Sequence, residues 1–263
     1  MMIRSALALL FVLSLAVRAV AATEHTLVIN NGRVIDPESG LDAVRHIGIS
    51  GANIVTISQQ ALTGKKVIDA AGMVVAPGFI DLHTHSPTPL GEHYQAFDGV
   101  TTALELEAGF FPVRDYGAQV SASPLINYGA SAGYVSMRIF EKNGLMIPAP
   151  SATPRPVGIR GWTTALMYFF TDFDTALAAS LKEQASAEEL ETLRALLVDD
   201  LDQGAIGIGL ALDYFSEAIQ EAEMRMIFAV AAQRHAPVFI HVRRGIDGDP
   251  SGLREVIAYA RQY

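Results

Sequence analysis

Residues 77–85 of the chain read PGFIDLHTH, and the predicted fold is built around this motif. The apolar residues after Pro77 are typical of a short buried strand, at whose end stand His83 and His85. Because side chains alternate along a strand, two histidines two positions apart point to the same side. The pair therefore predicts a bidentate metal clamp, with Asp81 contacting and orienting the ligands. The alternative is two partly exposed polar side chains at a strand end.

Strands alternate with helices in the sequence that follows. Amphipathic spacing predicts helices over 187–203, stopped by Gly204, and over 217–235. Such alternation is typical of parallel βα units, in which ligands bind at the carboxyl ends of the strands. The strand candidates are 79–83, 101–106, 126–132, 205–210 and 238–242.

The segment before the histidine motif has a different rhythm. Residues 26–75 contain short apolar runs broken by turn pairs such as Asn31-Gly32. Runs of this length between turn residues predict antiparallel strands in a small sheet.

Composition excludes several classes of function. The chain has 263 residues, a formal net charge of -9, no cysteine and 50% hydrophobic residues. The hydrophobic content excludes disorder, and the lack of clustered positive charge argues against a nucleic-acid partner. Without cysteine there are no disulfides, thiolate ligands or cysteine nucleophiles, so any metal must be held by histidines and carboxylates.

The first residues predict a secretory signal peptide. A short basic start is followed by an apolar run and by the small residues Ala19 and Ala21. About 13 apolar residues are fewer than the ~20 of a spanning helix, so we expect cleavage near Ala21 or Ala22 and no stable membrane span afterwards. A retained membrane anchor is the alternative. The predicted organisation is a leader at 1–22, a small β domain at 23–76 and a barrel domain at 77–263, in an exported protein that is periplasmic or secreted.

Four segments together resemble a known family. Residues 70–85, AAGMVVAPGFIDLHTH, are similar to the approach to the first barrel strand of the amidohydrolase superfamily. The later segments DGVTT (98–102), QGAIGI (203–208) and VFIHVR (238–243) resemble strands of its D-aminoacylase branch. The resemblance implies an α/β fold: an incomplete TIM-like (β/α)8 metal-dependent hydrolase barrel, strands 1–5, with a partial N-terminal β-sandwich. It also implies one or two divalent metal ions, Zn²⁺ foremost.

The resemblance extends to individual residues. His83 and His85 match the family's first metal pair, His241 matches its next histidine ligand, and Tyr214 follows the fourth strand as its substrate-contacting tyrosine does. A packing aromatic is the alternative for Tyr214. The family's catalytic aspartate and its remaining histidine ligand are expected beyond residue 263.

Other residues are interpreted without the family. Arg243 could hold a substrate carboxylate through two parallel hydrogen bonds, with surface charge as the alternative. His25, His46 and His93 have no partner pattern and are expected to face solvent.

The second barrel strand departs from the family pattern. Many D-aminoacylases place a cysteine there, and related enzymes use a carboxylated lysine, but this chain has no cysteine and its four lysines lie outside the barrel strand candidates. The strand instead carries Glu105 and Glu107 on one face. Burying a carboxylate is costly unless it is paired or bound to metal. We therefore predict Glu107 as the bridging ligand and Glu105 as a deeper residue contacting a ligand; Glu105 paired with an arginine is the alternative.

These observations predict a metal-dependent amide hydrolase acting on a small molecule. The reaction implied by the resemblance is removal of the acyl group from an N-acyl-D-amino acid by metal-activated water, with N-acyl-D-glutamate as the specific expectation. Two alternatives remain: a truncated, non-catalytic metal-binding remnant, and a cyclic amidase resembling dihydroorotase or hydantoinase, which usually needs the lysine bridge.

Overall fold

The computed structural model describes residues 25–85, 88–118, 120, 122–148, 154–244 and 248–263. The predicted leader at 1–22 lies outside these residues. The chain divides between Pro77 and Gly78 into two compact units. Within the described ranges, every helix is too short or too polar to cross a membrane.

The N-terminal unit is a five-stranded sheet. Its strands are β1 (His25–Asp36), β2 (Leu41–Ser50), β3 (Asn53–Ser58), β4 (Gly64–Asp69) and β5 (Val74–Val75). The order is β3-β2-β1-β4, with β5 also beside β1. Strands β2 and β3 are antiparallel as predicted, but β4 and β5 run parallel to β1. The prediction of a purely antiparallel sheet is wrong. After β3, at one edge of the sheet, the chain crosses to the opposite edge and there pairs with β1 in the parallel direction.

Two local predictions in this sheet are also wrong. Asn31-Gly32 is not a turn between strands but a bulge inside β1, where Asn31 has a φ of 66°. His25 and His46 are buried rather than solvent-facing. The ring Nδ1 of His46 lies 2.9 Å from Oδ1 of Asn30, and the ring of His25 lies where a Cβ on Gly48 would be 2.6 Å away. The bulge and the missing side chain create the space that the rings fill.

The second unit alternates strands and helices. The strands that precede the two-stranded ribbon are β6 (Phe79–Asp81), β7 (Val100–Phe110) and β8 (Asn127–Gly133), and those that follow it are β11 (Ile208–Ala211) and β12 (Val238–His241). Strands β9 (Leu145–Met146) and β10 (Arg155–Pro156) form that ribbon. The helices are α1 (Pro89–Phe97), α2 (Tyr134–Asn143), α3 (Gly158–Phe170), α4 (Phe173–Ala176), α5 (Ala178–Lys182), α6 (Ala187–Asp202), α7 (Glu221–Arg234) and α8 (Ser251–Gln262), with 3-10 turns at Val113–Ala118 and Leu212–Phe215.

The five main strands of this unit form one parallel sheet in the order β6-β7-β8-β11-β12. The five strand predictions are thus confirmed, in sequence order. Helix α6 starts at a capping box between Ser186 and Glu189 and ends before Gly204, whose φ is 103°. Its buried face, with Leu193 and Leu197, packs in the same core as residues of β11, α2 and α7.

Strand β7 is irregular near its carboxyl end. Glu105 pairs with Ala130, but the next paired residue is Phe110, opposite Ala132. Gly109 has a φ of 67°, and a Cβ there would lie 2.7 Å from the Cα of Gly133. A bulge of this kind bends the strand and redirects side chains. Glu107 lies within the irregular stretch, so the bulge affects the direction of its side chain.

A buried ion pair joins two helices behind the sheet. The Nε of Arg138 on α2 donates to Glu223 on α7 over 2.8 Å, and the two side chains are only 0% and 2% exposed. The Tyr134 hydroxyl donates to the same carboxylate over 2.8 Å, and Arg138 also donates to the carbonyls of Ser180 and Glu183. The buried guanidinium, carboxylate and hydroxyl of this cluster therefore all have protein partners.

We expect replacement of Glu223 by alanine to lower the free energy of unfolding by about 3–5 kcal/mol, because it leaves the buried guanidinium of Arg138 without a counter-charge. The matched control is Glu221→Ala on the same helix, which removes an exposed i,i+4 pair with Arg225 and is expected to cost under about 1 kcal/mol. Urea denaturation measures both losses, and an unchanged m-value shows that the variants unfold in the same way as the wild type. Equal losses in the two variants would contradict this role for the cluster.

Candidate metal centre

The predicted ligands meet at the carboxyl ends of three strands. His83 and His85 follow β6, Glu107 lies near the end of β7, and His241 is the last residue of β12. Donor atoms of His83, His85 and Glu107 all lie within 4.8 Å of one another. The sequence-predicted ligands are therefore neighbours in space, although they come from distant parts of the chain.

The two histidines have the geometry of a pair that shares one ion. Their Nε2 atoms lie 3.2 Å apart. Two imidazole nitrogens on a tetrahedral zinc ion at 2.0–2.1 Å would be separated by roughly 3.3 Å. The rings are steeply inclined, at 73°, so both nitrogens can converge on one point.

Glu107 faces both sides of the centre. Its Oε2 lies 3.7 Å from Nε2 of His83 and 3.6 Å from Nε2 of His85, whereas its Oε1 lies 3.2 Å from Nδ1 of His241. One carboxylate thus presents an oxygen to the His83/His85 pair and the other oxygen to His241. The role of Glu107 as a bridging ligand stays a prediction, with which these distances agree.

The same distances show that the sheet is curled. Strands β6 and β12 are four steps apart in the sheet, which in a flat sheet would separate them by about 19 Å. Residues at the ends of both strands nevertheless reach one side chain, that of Glu107. The curvature of the sheet therefore assembles the centre.

Glu105 lies deeper and contacts a ligand from behind. Its Oε1 lies 2.7 Å from Nδ1 of His85, the ring nitrogen opposite the one that faces His83. The side chain is 0% exposed, and Oε2 is buried without a hydrogen-bond partner among the described residues. Burial, together with the charge of Glu107, raises the pKa of Glu105 to about 8.

The donor set fits a divalent metal such as zinc. Imidazole nitrogens and carboxylate oxygens are suitable ligands, and a carboxylate behind a ligating histidine fixes its tautomer. The orphaned Oε2 of Glu105 adds an uncompensated buried acceptor, which a nearby cation stabilises.

Asp81 supports the loop that carries the histidines. Its Oδ1 accepts the backbone N–H of His83 over 3.0 Å. The side-chain amide of Gln95, from α1, donates to the hydroxyl of Thr84 over 2.8 Å and lies 3.5 Å from Oδ2 of Asp81. Asp81 therefore contacts the histidine segment through its backbone, and the predicted role of Asp81 in tuning the ligands stays a prediction.

Of the two predicted substrate-binding residues, Tyr214 is exposed and Arg243 is buried. Tyr214 is exposed, and its ring lies edge-on to that of His241, with centroids 5.4 Å apart. Arg243 is buried: its Nε donates to Glu255 over 3.0 Å, and its other nitrogens donate to the carbonyls of Ser216 and Ile219. The prediction that Arg243 holds a substrate carboxylate is wrong, because its donors are already engaged inside the protein.

Two residues near the centre were not predicted from the sequence. Gln95 reaches the histidine segment from α1, and Tyr116 lies close enough to Glu105 that burial, with the charges of Glu105 and Tyr128, raises the pKa of the Tyr116 phenol. Neither lies in a metal-ligand spacing or at a strand end, so only the fold reveals them.

The chain is similar in sequence to known amidohydrolases. Residues 66–127 match the model of the amidohydrolase family. A dihydroorotase from Streptococcus thermophilus is 44% identical over 86 residues, 32% of this chain and 20% of that protein. An N-acyl-D-glutamate deacylase from Alcaligenes xylosoxydans xylosoxydans is 27% identical over 246 residues, 90% of this chain and 47% of that protein.

A solved structure has the same fold. The N-acyl-D-glutamate deacylase from Bordetella bronchiseptica, determined with zinc and a phosphonate inhibitor, superposes with a TM-score of 0.64 at 22% identity, covering 91% of this chain and 50% of that one. The resemblance and the barrel fold predicted from the sequence are thus confirmed. The chain spans about half the length of the deacylases that it matches over most of its own length.

We expect Glu107→Gln and Glu105→Gln to affect metal binding differently. Loss of the bridging charge at Glu107 lowers the number of ions bound per chain. The Glu105 change leaves that number intact but weakens affinity about 10–100-fold, the usual effect of removing a partner of a ligating histidine. Zinc or cobalt titration with elemental analysis measures both, with Glu191→Gln, exposed on α6, as the control.

The same titration carries a pH dependence. Because burial and the charge of Glu107 raise the pKa of Glu105 to about 8, the carboxyl loses its proton as the pH rises to that value, and the carboxylate is the stronger acceptor for Nδ1–H of a His85 that ligates through Nε2. Metal affinity should therefore rise with pH up to about 8 and rise less steeply in Glu105→Gln.

For the Glu107 prediction, an unchanged number of ions per chain in Glu107→Gln would mean that another residue is the bridge.

Proposed function

We propose that this chain provides the metal-binding part of a hydrolase that removes the acyl group from N-acyl-D-amino acids. The observation that carries the proposal is Glu107, whose two oxygens face His83 and His85 on one side and His241 on the other. A carboxylate placed in this way can hold one or two divalent ions between the strands, and zinc is our specific expectation.

The residues of the chain would act together to present and orient the metal. His83 and His85 offer Nε2 atoms, and Glu105 holds Nδ1–H of His85 so that its Nε2 stays free of a proton. When bound, a divalent metal supplies Lewis acidity toward the amide carbonyl and the attacking water. Tyr214, whose exposed ring lies beside that of His241, is our candidate for a substrate contact.

The substrate class is supported by the comparisons. One sequence relative and one solved structure that each match about nine-tenths of this chain are N-acyl-D-glutamate deacylases, and a D-aminoacylase structure covers 90% of it. The paired glutamates of β7 stand where a cysteine or a carboxylated lysine was expected, which sets this centre apart from the lysine-bridged enzymes. We therefore propose an N-acyl-D-glutamate as the preferred substrate.

A cyclic amidase is the second candidate, because the dihydroorotase match has the higher identity over its shorter span. The four lysines argue against it. Lys65 and Lys66 lie in β4 of the N-terminal unit, Lys142 in α2 and Lys182 in α5. None of them is on a strand of the parallel sheet, so a lysine-bridged centre does not fit the ligand positions.

Hydrolysis assays on the purified, metal-loaded full-length protein test the activity. We expect release of D-glutamate from N-acyl-D-glutamate, little turnover of the L enantiomer, and loss of activity of at least about a hundredfold in Glu107→Gln, since a missing ligand removes stabilisation made in the transition state. Dihydroorotate and hydantoin are assayed in parallel.

The outcomes separate the alternatives. Hydrolysis confined to the cyclic amides would replace the deacylase proposal with the cyclic amidase. Stoichiometric metal binding without hydrolysis of any compound would support the non-catalytic alternative.

We also propose that the protein is exported, on the basis of the basic, apolar and small-residue pattern of residues 1–22. Expression in a bacterial host should yield a periplasmic or secreted form whose N-terminus, determined by N-terminal sequencing, begins at Ala22 or Thr23. A product that begins at Met1 and fractionates with membranes would support the retained anchor instead.

A further inference from the structure

Arg243 is among the most completely engaged side chains near the centre. It is 5% exposed, its Nε donates to Oε2 of Glu255 over 3.0 Å, and its two terminal nitrogens donate to the carbonyls of Ser216 and Ile219. These partners come from two different segments. Glu255 belongs to α8, whereas Ser216 and Ile219 belong to the loop between β11 and α7.

The backbone around Arg243 is held equally closely. The N–H of Arg244 donates to Oδ1 of Asp213 over 2.7 Å, which attaches the turn after β12 to the turn after β11. Gly252, in the first turn of α8, packs against the main chain of Arg243 so tightly that a Cβ there would overlap its carbonyl oxygen. The position of the chain immediately after His241 is therefore fixed from two sides.

The ring of His241, in contrast, has few constraints of its own. Its side chain is 41% exposed, and within the part of the chain that the structure describes its polar and ring partners are Oε1 of Glu107 at 3.2 Å and the exposed ring of Tyr214. Contacts this sparse do not hold an imidazole within the few tenths of an ångström that a ligand position needs. The backbone must supply the remaining constraint.

We propose that Arg243 is the positioning residue of the centre: by tying the end of β12 to the β11–α7 loop and to α8, it holds His241 against Glu107. The role of His241 as a metal ligand rests on the proposed function. The placement of the His241 ring by Arg243 can be tested without a metal.

The first test therefore uses metal-free protein. The chain has seven histidines, few enough to resolve by NMR of the imidazole Cε1–H groups after selective labelling. In Arg243→Lys, which keeps the charge but loses the planar fork, we expect the His241 resonance to shift or broaden and that of His85 to stay unchanged. Assignment by His241→Gln and His85→Gln identifies the two signals.

Three variants make the test specific. Glu255→Gln weakens one anchor and leaves both carbonyl bonds, so it should produce the same His241 change to a smaller extent and remains available if Arg243→Lys fails to fold. Gly252→Ala displaces the main chain of Arg243 without altering any charge and should act in the same direction. Arg244→Gln is the matched control, because that side chain is exposed and its hydrogen bond, among the described residues, goes to the hydroxyl of Ser251 at the start of α8 rather than to a hydrogen-bond partner of Arg243.

Cobalt titration then links the ring to the metal. We expect the variants of Arg243, Glu255 and Gly252 to weaken the ion that depends on His241 about tenfold, with the visible Co²⁺ absorption bands altered, and to leave the His83/His85 ion within twofold. A purely structural role would lower stability and weaken both ions equally.

The outcomes are distinguishable from failure of the proposed function. An unperturbed His241 resonance in folded Arg243→Lys and Gly252→Ala would overturn the positioning role, whatever the metal result. Absence of metal binding in the wild-type protein would overturn the proposed function, while the NMR comparison would still decide the role of Arg243.

Discussion

The burial of two carboxylates in one strand is the constraint on which the centre depends. Glu105 is fully enclosed and Glu107 nearly so, on a strand whose other residues are largely apolar. Ionised carboxylates in such surroundings cost several kcal/mol each unless cations or hydrogen-bond donors lie beside them. Among the described residues, the ion-pair partners of these carboxylates are the imidazoles of His83, His85 and His241. Protonation of Glu105 or a bound cation would each relieve the cost of burying the charge.

The fold brings the required partners together through curvature and irregularity. A regular, flat sheet would keep the ends of β6 and β12 far apart, and a regular β7 would continue its pairing with β8 past Glu105. The curl of the sheet and the bulge at Gly109 bring three strand ends to one carboxylate. The buried pair of Arg138 and Glu223 joins two of the helices that cover the sheet, so it stabilises the scaffold rather than the chemistry.

The sequence predicted the order of the barrel strands, helix α6 and the cluster of ligands, because each follows from periodicity or from a motif at a strand end. Helix α2 was not predicted, since its buried face includes Arg138 and Lys142 and so lacks apolar spacing. The parallel strands β4 and β5 could not be predicted either, because pairing direction depends on where the chain returns. Arg243 was misinterpreted for a similar reason: its partners lie 12 or more positions away, and no local pattern marks a residue as buried by tertiary contacts.

The position of Glu107 between His83 and His241 has a consequence for the stability of the folded chain. Glu107 and His241 are 134 positions apart, and a metal held by both closes that stretch of polypeptide into a ring. In a protein without cysteine, such coordination is the available equivalent of a covalent cross-link, and it restricts the unfolded chain in a comparable way. By mass action, free metal then becomes a determinant of how much of the protein is folded, with stability increasing logarithmically above the dissociation constant. Metal supply would thereby govern the persistence of the fold itself.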